Sequence, residues 1–552
     1  MRLMTILSPR PAALRERPRS LIDVELDVAQ RAAAERPAGG AMLVLGEAGH
    51  GKTTVALHRL AYLYRTAGER FRAVVLVPHI GLEHLLQPLV THLGADVSVQ
   101  CYERWARRQA RRAFGDIPRR ESASTSSAIM RVKRAAALGE LLRELARLPP
   151  GRIDNDEDAP PPATKAHAHR GDLQHLFGDG ERMHRLAQAA GLSESAIAEV
   201  LEHTHVQFLE RSETAYAHVD AERLVSVDAL SLDAGTPDEN AASIDSEDYA
   251  VLFELDRLRA LHNGDKPTRP RRYDCIVLDE AQEFAPLELT LIGRSLARGA
   301  TLVVAGDADQ QTDPAAGFQD WRASMRALQA THYETVTLDI GYRCPPPVAA
   351  FARALRSGQL APVVFAGGSA LLGVAGASAP VLSAGTNAHA VSADANAPTA
   401  LADATRPGRV AAVDKPVGVA FLRFTQPGGL VDWLAAEVAQ LEEHDPTASV
   451  CIVARSRESA RQIAVALRGR VPCKLVLDAE FVFHRGVDVT ALDQVKGLEF
   501  DYVIVPDASA NAYPATPEAR RALYVAATRA RYQLALACTS EPSPLLDVRG
   551  HA

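Results

Sequence analysis

At 552 residues the chain is too long for a single core, and it is expected to divide into three or four domains. Its 47% apolar and 23% charged content is that of a globular chain, and a net charge of −7 excludes any overall attraction for nucleic acid, though a basic groove can sit on an acidic surface. No run of about 18 apolar residues could span a membrane, and the basic stretch MRLMTILSPRPAALRERPRS lacks an apolar core of signal-peptide length. The six cysteines (Cys101, Cys275, Cys344, Cys451, Cys473, Cys538) form no C-x-x-C pair. The expectation is a reducing, cytoplasmic setting with no disulfide frame, no structural metal and no membrane partner.

In chain order, short unbroken apolar runs recur. They are AMLVL (41–45), AVVLV (73–77), CIVL (275–278), TLVVA (301–305), VCIVA (450–454), YVIVP (502–506) and QLALA (533–537). Runs of this length without alternation predict strands buried on both faces, as in parallel sheets covered by helices. Helical patterns lie between them: Val431, Leu434, Val438 and Leu441 share one face at spacings of three and four. Alternating strand and helix predicts an α/β fold, and the gap between residues 306 and 449 predicts two parallel sheets. Residues 106–269 read as a mostly helical insertion, broken by the exposed loop NDEDAPPPATKAHAHR (155–170). Residues 366–414 are nearly all Ala, Gly, Ser, Thr, Pro and Val, too poor in large apolar groups to offset ordering entropy, and read as a flexible linker.

Chemistry concentrates at the ends of these runs. LVLGEAGHGKTT (43–54) matches G-x-x-x-x-G-K-[ST] from Gly46 to Thr53. Such a loop (Gly46, Glu47, Ala48, Gly49, His50, Gly51) aims backbone N–H groups at phosphates, and the following helix adds its positive end. Lys52 is expected on the β- and γ-phosphates of ATP and the Thr53 hydroxyl on Mg²⁺, with Thr54 beside them. In YDCIVLDEAQEF (273–284) four apolar residues deliver Asp279 to the magnesium ion and Glu280 to the attacking water. Two adjacent acids after a strand are weak evidence alone; paired with the glycine loop they supply what hydrolysis needs.

DEAQ after such a loop resembles the superfamily 1 DNA helicases of the UvrD, Rep, PcrA and helicase IV type, and further motifs follow in that family's order. LDVAQ (26–30) makes Gln30 the reader of the adenine edge. VVAGDADQQ (303–311) makes Gln310 the γ-phosphate sensor. LDIGYRCP (338–345) gives Tyr342 for base stacking and Arg343 as an arginine finger. QVKGLEFDYVIV (494–505) gives Gly497 at the cleft and Glu499 on the ribose. RRALYVAATRARYQLAL (520–536) gives Arg529 as the second finger. The resemblance implies two RecA-like domains: residues 20–105 with 270–335, and 336–365 with 415–552. A tail (1–19), a 1B-like insertion (106–269) and the 366–414 linker, in place of the usual 2B insertion, complete the chain. It implies an ATP- and Mg²⁺-dependent motor moving 3′→5′ on single-stranded or partly duplex DNA, with fingers that require lobe closure before hydrolysis.

The pattern departs from the family where Ala491 and Asp493 replace a Thr and a His. Base-stacking platforms are sought in Tyr102 and Trp105 of VQCYERWARR, and in Phe318 and Trp321 of AAGFQDWR. Phosphate contacts are sought in WARRQARR (105–112) and RVKR (131–134). Core packing and a solvated helix face are the plain alternatives. The missing 2B insertion leaves a second reading: an ATPase stimulated by nucleic acid or by a protein engaged through 106–269, such as RNA polymerase, with little unwinding. A non-enzymatic nucleotide switch is the third, and no carboxylate–lysine cluster points to a nuclease.

Overall fold

The computed structural model describes residues 6–11, 25–68, 70–114, 117–122, 125–151, 165–215, 218–219, 236–341, 344–360, 363–364, 371–375, 418–424, 426–478, 481, 485–546 and 548–549. Two sheets organise the chain. The first comprises β1 (Gly40–Gly46), β2 (Ala73–Val77), β3 (Val99–Cys101), β4 (Tyr273–Leu278), β5 (Leu296–Ala305) and β6 (Tyr333–Leu338), all parallel, in the order β3-β2-β4-β5-β1-β6. The register pairs Val44 with Ala305 and Val75 with Val277. The carboxyl ends of β4, β5 and β1 therefore lie side by side, where parallel sheets hold their ligands.

The second sheet comprises β7 (Leu371–Ala375), β8 (Val419–Arg423), β9 (Ser449–Ala454), β10 (Lys474–Val476), β11 (Gly486–Ala491), β12 (Phe500–Val505) and β13 (Ala530–Cys538), in the order β7-β8-β13-β12-β9-β11-β10. Six strands are parallel, and β7 closes the edge antiparallel to β8. β9 and β12 are buried along their whole length, which is why their sequences are apolar without alternation. Strand β7 lies inside the tract expected to be a flexible linker. Residues 371–375 form an edge strand instead, paired through the backbone with β8, while residues 376–417 lie outside the described part.

One apolar cluster runs through both lobes, from Val44, Val55 and Leu82 to Val495, Leu498 and Leu523. The described residues between 106 and 269 are mostly helical, and the helix that enters this stretch begins at Tyr102 (Tyr102–Phe114). Its centre is the fully buried Lys133, 2.6 Å from Asp245 and 2.8 Å from Asp248, with the His203 ring 2.9 Å from Asp245. Arg134 ties this unit to the first lobe through Asp313 at 2.6 Å and Glu288 at 3.0 Å. The cations of RVKR expected on phosphates are thus committed internally at these two positions.

The N-terminal segment is more than a tail. Leu7 is completely buried in the second lobe's core beside Trp433 and Leu434, and Arg10 pairs with Asp445 and Asp501 at 2.8 Å each. The chain thus begins its described course on the second lobe, crosses to build the first, and returns after β6.

Candidate functional site

The loop after β1 carries positive φ at Gly49 (81°) and Gly51 (85°), a backbone conformation that L side chains resist. Gly51 caps the helix Lys52–Ala67, so the turn presents N–H groups at a helix N-terminus. Lys52 is buried; its Nζ donates to the carbonyls of Gly46 (2.8 Å) and Glu47 (3.0 Å) and stands 3.7 Å from Asp307. Thr53 Oγ1 donates to Asp279 Oδ2 at 2.9 Å. These two hard oxygen donors, beside a phosphate-type nest, suit a magnesium ion that keeps most of its waters.

Asp279 sits at the end of β4, and burial followed by the adjacent Glu280 pushes its carboxyl up to about 7. Glu280 holds φ 51°, a left-handed conformation costly for a non-glycine residue and often kept at functional turns. Its carboxylate accepts from Gln282 Nε2 at 2.7 Å, and Gln282 Oε1 accepts from the Asp307 amide at 3.0 Å. Asp307, just past β5, is also raised by burial, with Lys52 opposing. Its Oδ2 accepts from Gln310 Nε2 at 2.7 Å, and Gln310 Oε1 accepts from Arg529 Nη2.

Arg529 comes from the second lobe, at the turn between the helix Pro517–Ala527 and β13. It is fully buried, and its other donors go to Val525 O (3.0 Å), Leu498 O (3.3 Å) and Thr528 Oγ1 (3.1 Å). Lys52, Asp307, Gln310 and Arg529 form one polar chain across the cleft. Beside it lies a cavity of ≈ 660 Å³ bounded by Gly46, Glu47, Ala48 and His50 on one side and by Arg356, Tyr524 and Thr528 on the other.

Other expected residues sit differently. Gln30 is buried in a capping box with Asp27, and its Nε2 donates to His50 O at 3.2 Å, so its amide faces the loop backbone. Gly497 of the second lobe packs on Leu82 of the first, between the lobes but outside the cavity, and Glu499, also outside it, lies 3.9 Å from Arg531. Thr54 is buried in the first turn after the loop. Tyr342 and Arg343 lie outside the described residues. Tyr102 and Trp105 are core residues, 4% and 0% exposed; Tyr102 packs edge-on against Phe284, and Trp105 Nε1 donates to the Tyr273 hydroxyl at 3.3 Å. Both rings are buried among neighbouring side chains, with Tyr102 bordering the groove that also holds Glu103 and Lys496. Phe318 and Trp321 are partly exposed and edge-on at 4.9 Å, with Trp321 at the cavity beside Gly306.

Sequence reasoning missed a second cross-lobe contact. Arg356, on the helix Pro346–Ser357, reaches Glu47 of the glycine loop (2.6 Å) and Asp309 (3.2 Å), with Arg353 3.8 Å from Glu47. The only signal was a pair of arginines three apart, Arg353 and Arg356, after the YRC motif. Away from this cavity, Lys496 meets Glu283 at 2.7 Å, and the His79 ring donates to Lys496 O at 2.9 Å. Burial lowers His79 to about 4. That groove is lined by Glu103, Glu247, Glu283, Glu288 and Asp313 as well as Arg134, so acids outnumber bases.

The two parallel α/β sheets, with a glycine-rich loop leading into a helix after β1, have the form of two RecA-like lobes. Residues 486–537, from β11 into β13, match the family model of the UvrD-like helicase C-terminal domain. Among solved structures, the chain is similar to the C-terminal domain of a possible DNA helicase from Lactobacillus plantarum WCFS1. The identity is 20%, over 38% of this chain and 92% of that one, with a TM-score of 0.24, too loose a superposition to support an argument. None of the curated proteins matches. No helix among the described residues is long and apolar enough to cross a membrane.

Proposed function

We propose that this protein is an ATP-dependent DNA helicase or translocase that couples hydrolysis between its lobes to movement on single-stranded DNA, 3′→5′ by resemblance. The observation that carries the reading is the polar chain from Lys52 through Asp307 and Gln310 to Arg529. It links the loop suited to phosphates in one lobe with a buried guanidinium from the other, so a change at the nucleotide alters how the lobes meet. ATP would be held by residues 46–54, and Mg²⁺, which would polarise the terminal phosphate, by Thr53 and Asp279. Glu280, oriented by Gln282, is the base for the attacking water. The test is ATP hydrolysis with and without single-stranded DNA, in wild type and Lys52→Ala. Many-fold stimulation by DNA in the former and background turnover in the latter are expected. Wild-type hydrolysis indifferent to DNA would overturn the reading.

A second reading, an ATPase that remodels a protein–nucleic acid complex with little unwinding, is favoured by one observation. The groove across the lobes is rich in acids, and Tyr102 and Trp105 are buried rather than displayed. Hydrolysis stimulated by a protein bound through 106–269, and not by DNA alone, is its signature.

A further inference from the structure

The contacts of residues 6–10 have the form of peptide recognition rather than of a covering tail. Each backbone N–H in the segment that can donate does so to a side chain of the second lobe. Ile6 and Leu7 give theirs to the two oxygens of Glu437 (2.7 and 2.9 Å), Ser8 to Gln533 Oε1 (3.0 Å) and Arg10 to Asp445 Oδ2 (3.1 Å). Three carbonyls are read as well: Gln533 Nε2 donates to Ile6 O at 3.2 Å, the Tyr502 hydroxyl to Ser8 O at 2.8 Å and the Tyr532 hydroxyl to Pro9 O at 3.5 Å. Leu7 fills an apolar pocket completely. The Arg10 guanidinium is gripped by Asp445, Asp501 and Thr447. Main-chain bonds give affinity in such sites, and the side-chain pockets give specificity.

We propose that the second lobe carries a peptide-binding groove for an extended apolar–Leu–Ser–Pro–Arg segment, formed by Glu437, Asp445, Asp501, Tyr502 and Gln533, and that residues 6–10 are its intramolecular ligand. The occupant leads through residues 11–26 to Asp27, which caps the helix bearing Gln30. The docked segment therefore ties the lobes together a second time, by non-covalent contacts, besides the covalent link after β6. The proposal does not depend on which nucleic acid or partner the enzyme serves. A ligand on the same chain acts at an effective concentration on the order of millimolar, so the groove should exclude added peptide in the intact protein.

The test uses the full chain and a fluorescein-labelled synthetic peptide covering residues 4–11, read by anisotropy. Leu7→Asp/Arg10→Glu displaces the segment, and this variant is expected to bind the peptide at least tenfold more tightly than wild type. Adding Glu437→Gln and Asp445→Asn to it is expected to abolish binding. A displaced variant that keeps its native circular dichroism yet binds no peptide, or binds equally with the groove altered, overturns the proposal. Should displacement prevent folding, hydrogen exchange on wild type decides. The amides of Ile6, Leu7, Ser8 and Arg10 are expected to exchange at least a hundredfold more slowly than unstructured peptide, and unprotected amides there would refute the groove.

Discussion

Replacing Arg529 by lysine isolates the guanidinium fork from its charge. The arginine is fully buried and serves at least four acceptors among the described residues: Gln310 Oε1, Val525 O, Leu498 O and Thr528 Oγ1. An ammonium has three donors and no planar fork, so at least one acceptor is left unmatched. Leaving a buried polar group unpaired costs about 1–3 kcal/mol of stability. The kinetic cost should be larger: an arginine finger contributes about 10³–10⁵ in rate, or roughly 4–7 kcal/mol at 1.36 kcal/mol per decade. Single-turnover hydrolysis at saturating ATP should therefore fall at least a thousandfold, while a fluorescent nucleotide analogue binds within a few-fold of wild type. Urea unfolding gives the stability term independently. Hydrolysis within tenfold of wild type in a folded Arg529→Lys protein would refute the cross-lobe role, and loss of nucleotide binding would show that the residue supports the ground state instead.

Arg356→Gln should lower kcat/KM for ATP several-fold by releasing Glu47 and Asp309, with under about 1 kcal/mol lost in chemical unfolding because the pair is partly exposed. Lys133→Ala leaves Asp245 and Asp248 buried without their cation, and should cost about 3–5 kcal/mol in denaturant unfolding. Glu247 is pushed by burial, then by Asp245, from 4.5 to about 7. A raised carboxyl favours the folded state most below its unfolded value and loses that contribution as pH climbs through 7. Between 4.5 and 7, at 1.36 kcal/mol per pH unit, the loss comes to roughly 3 kcal/mol. Glu247→Gln should therefore flatten the decline of stability between pH 5 and 8, as read from urea midpoints across that range.

Much of the fold was legible because its central strands are buried on both faces: AMLVL, CIVL and VCIVA carry their burial in composition alone. Strands β3 and β10 were not, being three residues long, and β6 mixes exposed and buried positions in YETVTL. The loop proposed to hold phosphates stood out because one short peptide, Gly46–Thr53, both bends the backbone and offers the chemistry. What escaped depends on contacts between distant segments. Nothing local distinguishes Arg356 from any other helix arginine until Glu47 stands across the cleft. Tyr102 and Trp105 drew attention as a pair of scarce aromatic residues, with core packing as the alternative; only their surroundings in the fold show them buried. Residues 6–10 carry no periodicity, so their groove was invisible too.

The separation of that segment from its seat has a consequence for biogenesis. Leu7 bonds to Glu437 across 430 positions of sequence. Synthesis at about 5–20 residues per second puts on the order of tens of seconds between the two. The first lobe can mature on the ribosome in that interval, while Leu7 waits for a pocket that does not yet exist. Docking of the segment must then come late in maturation, after the second lobe has emerged.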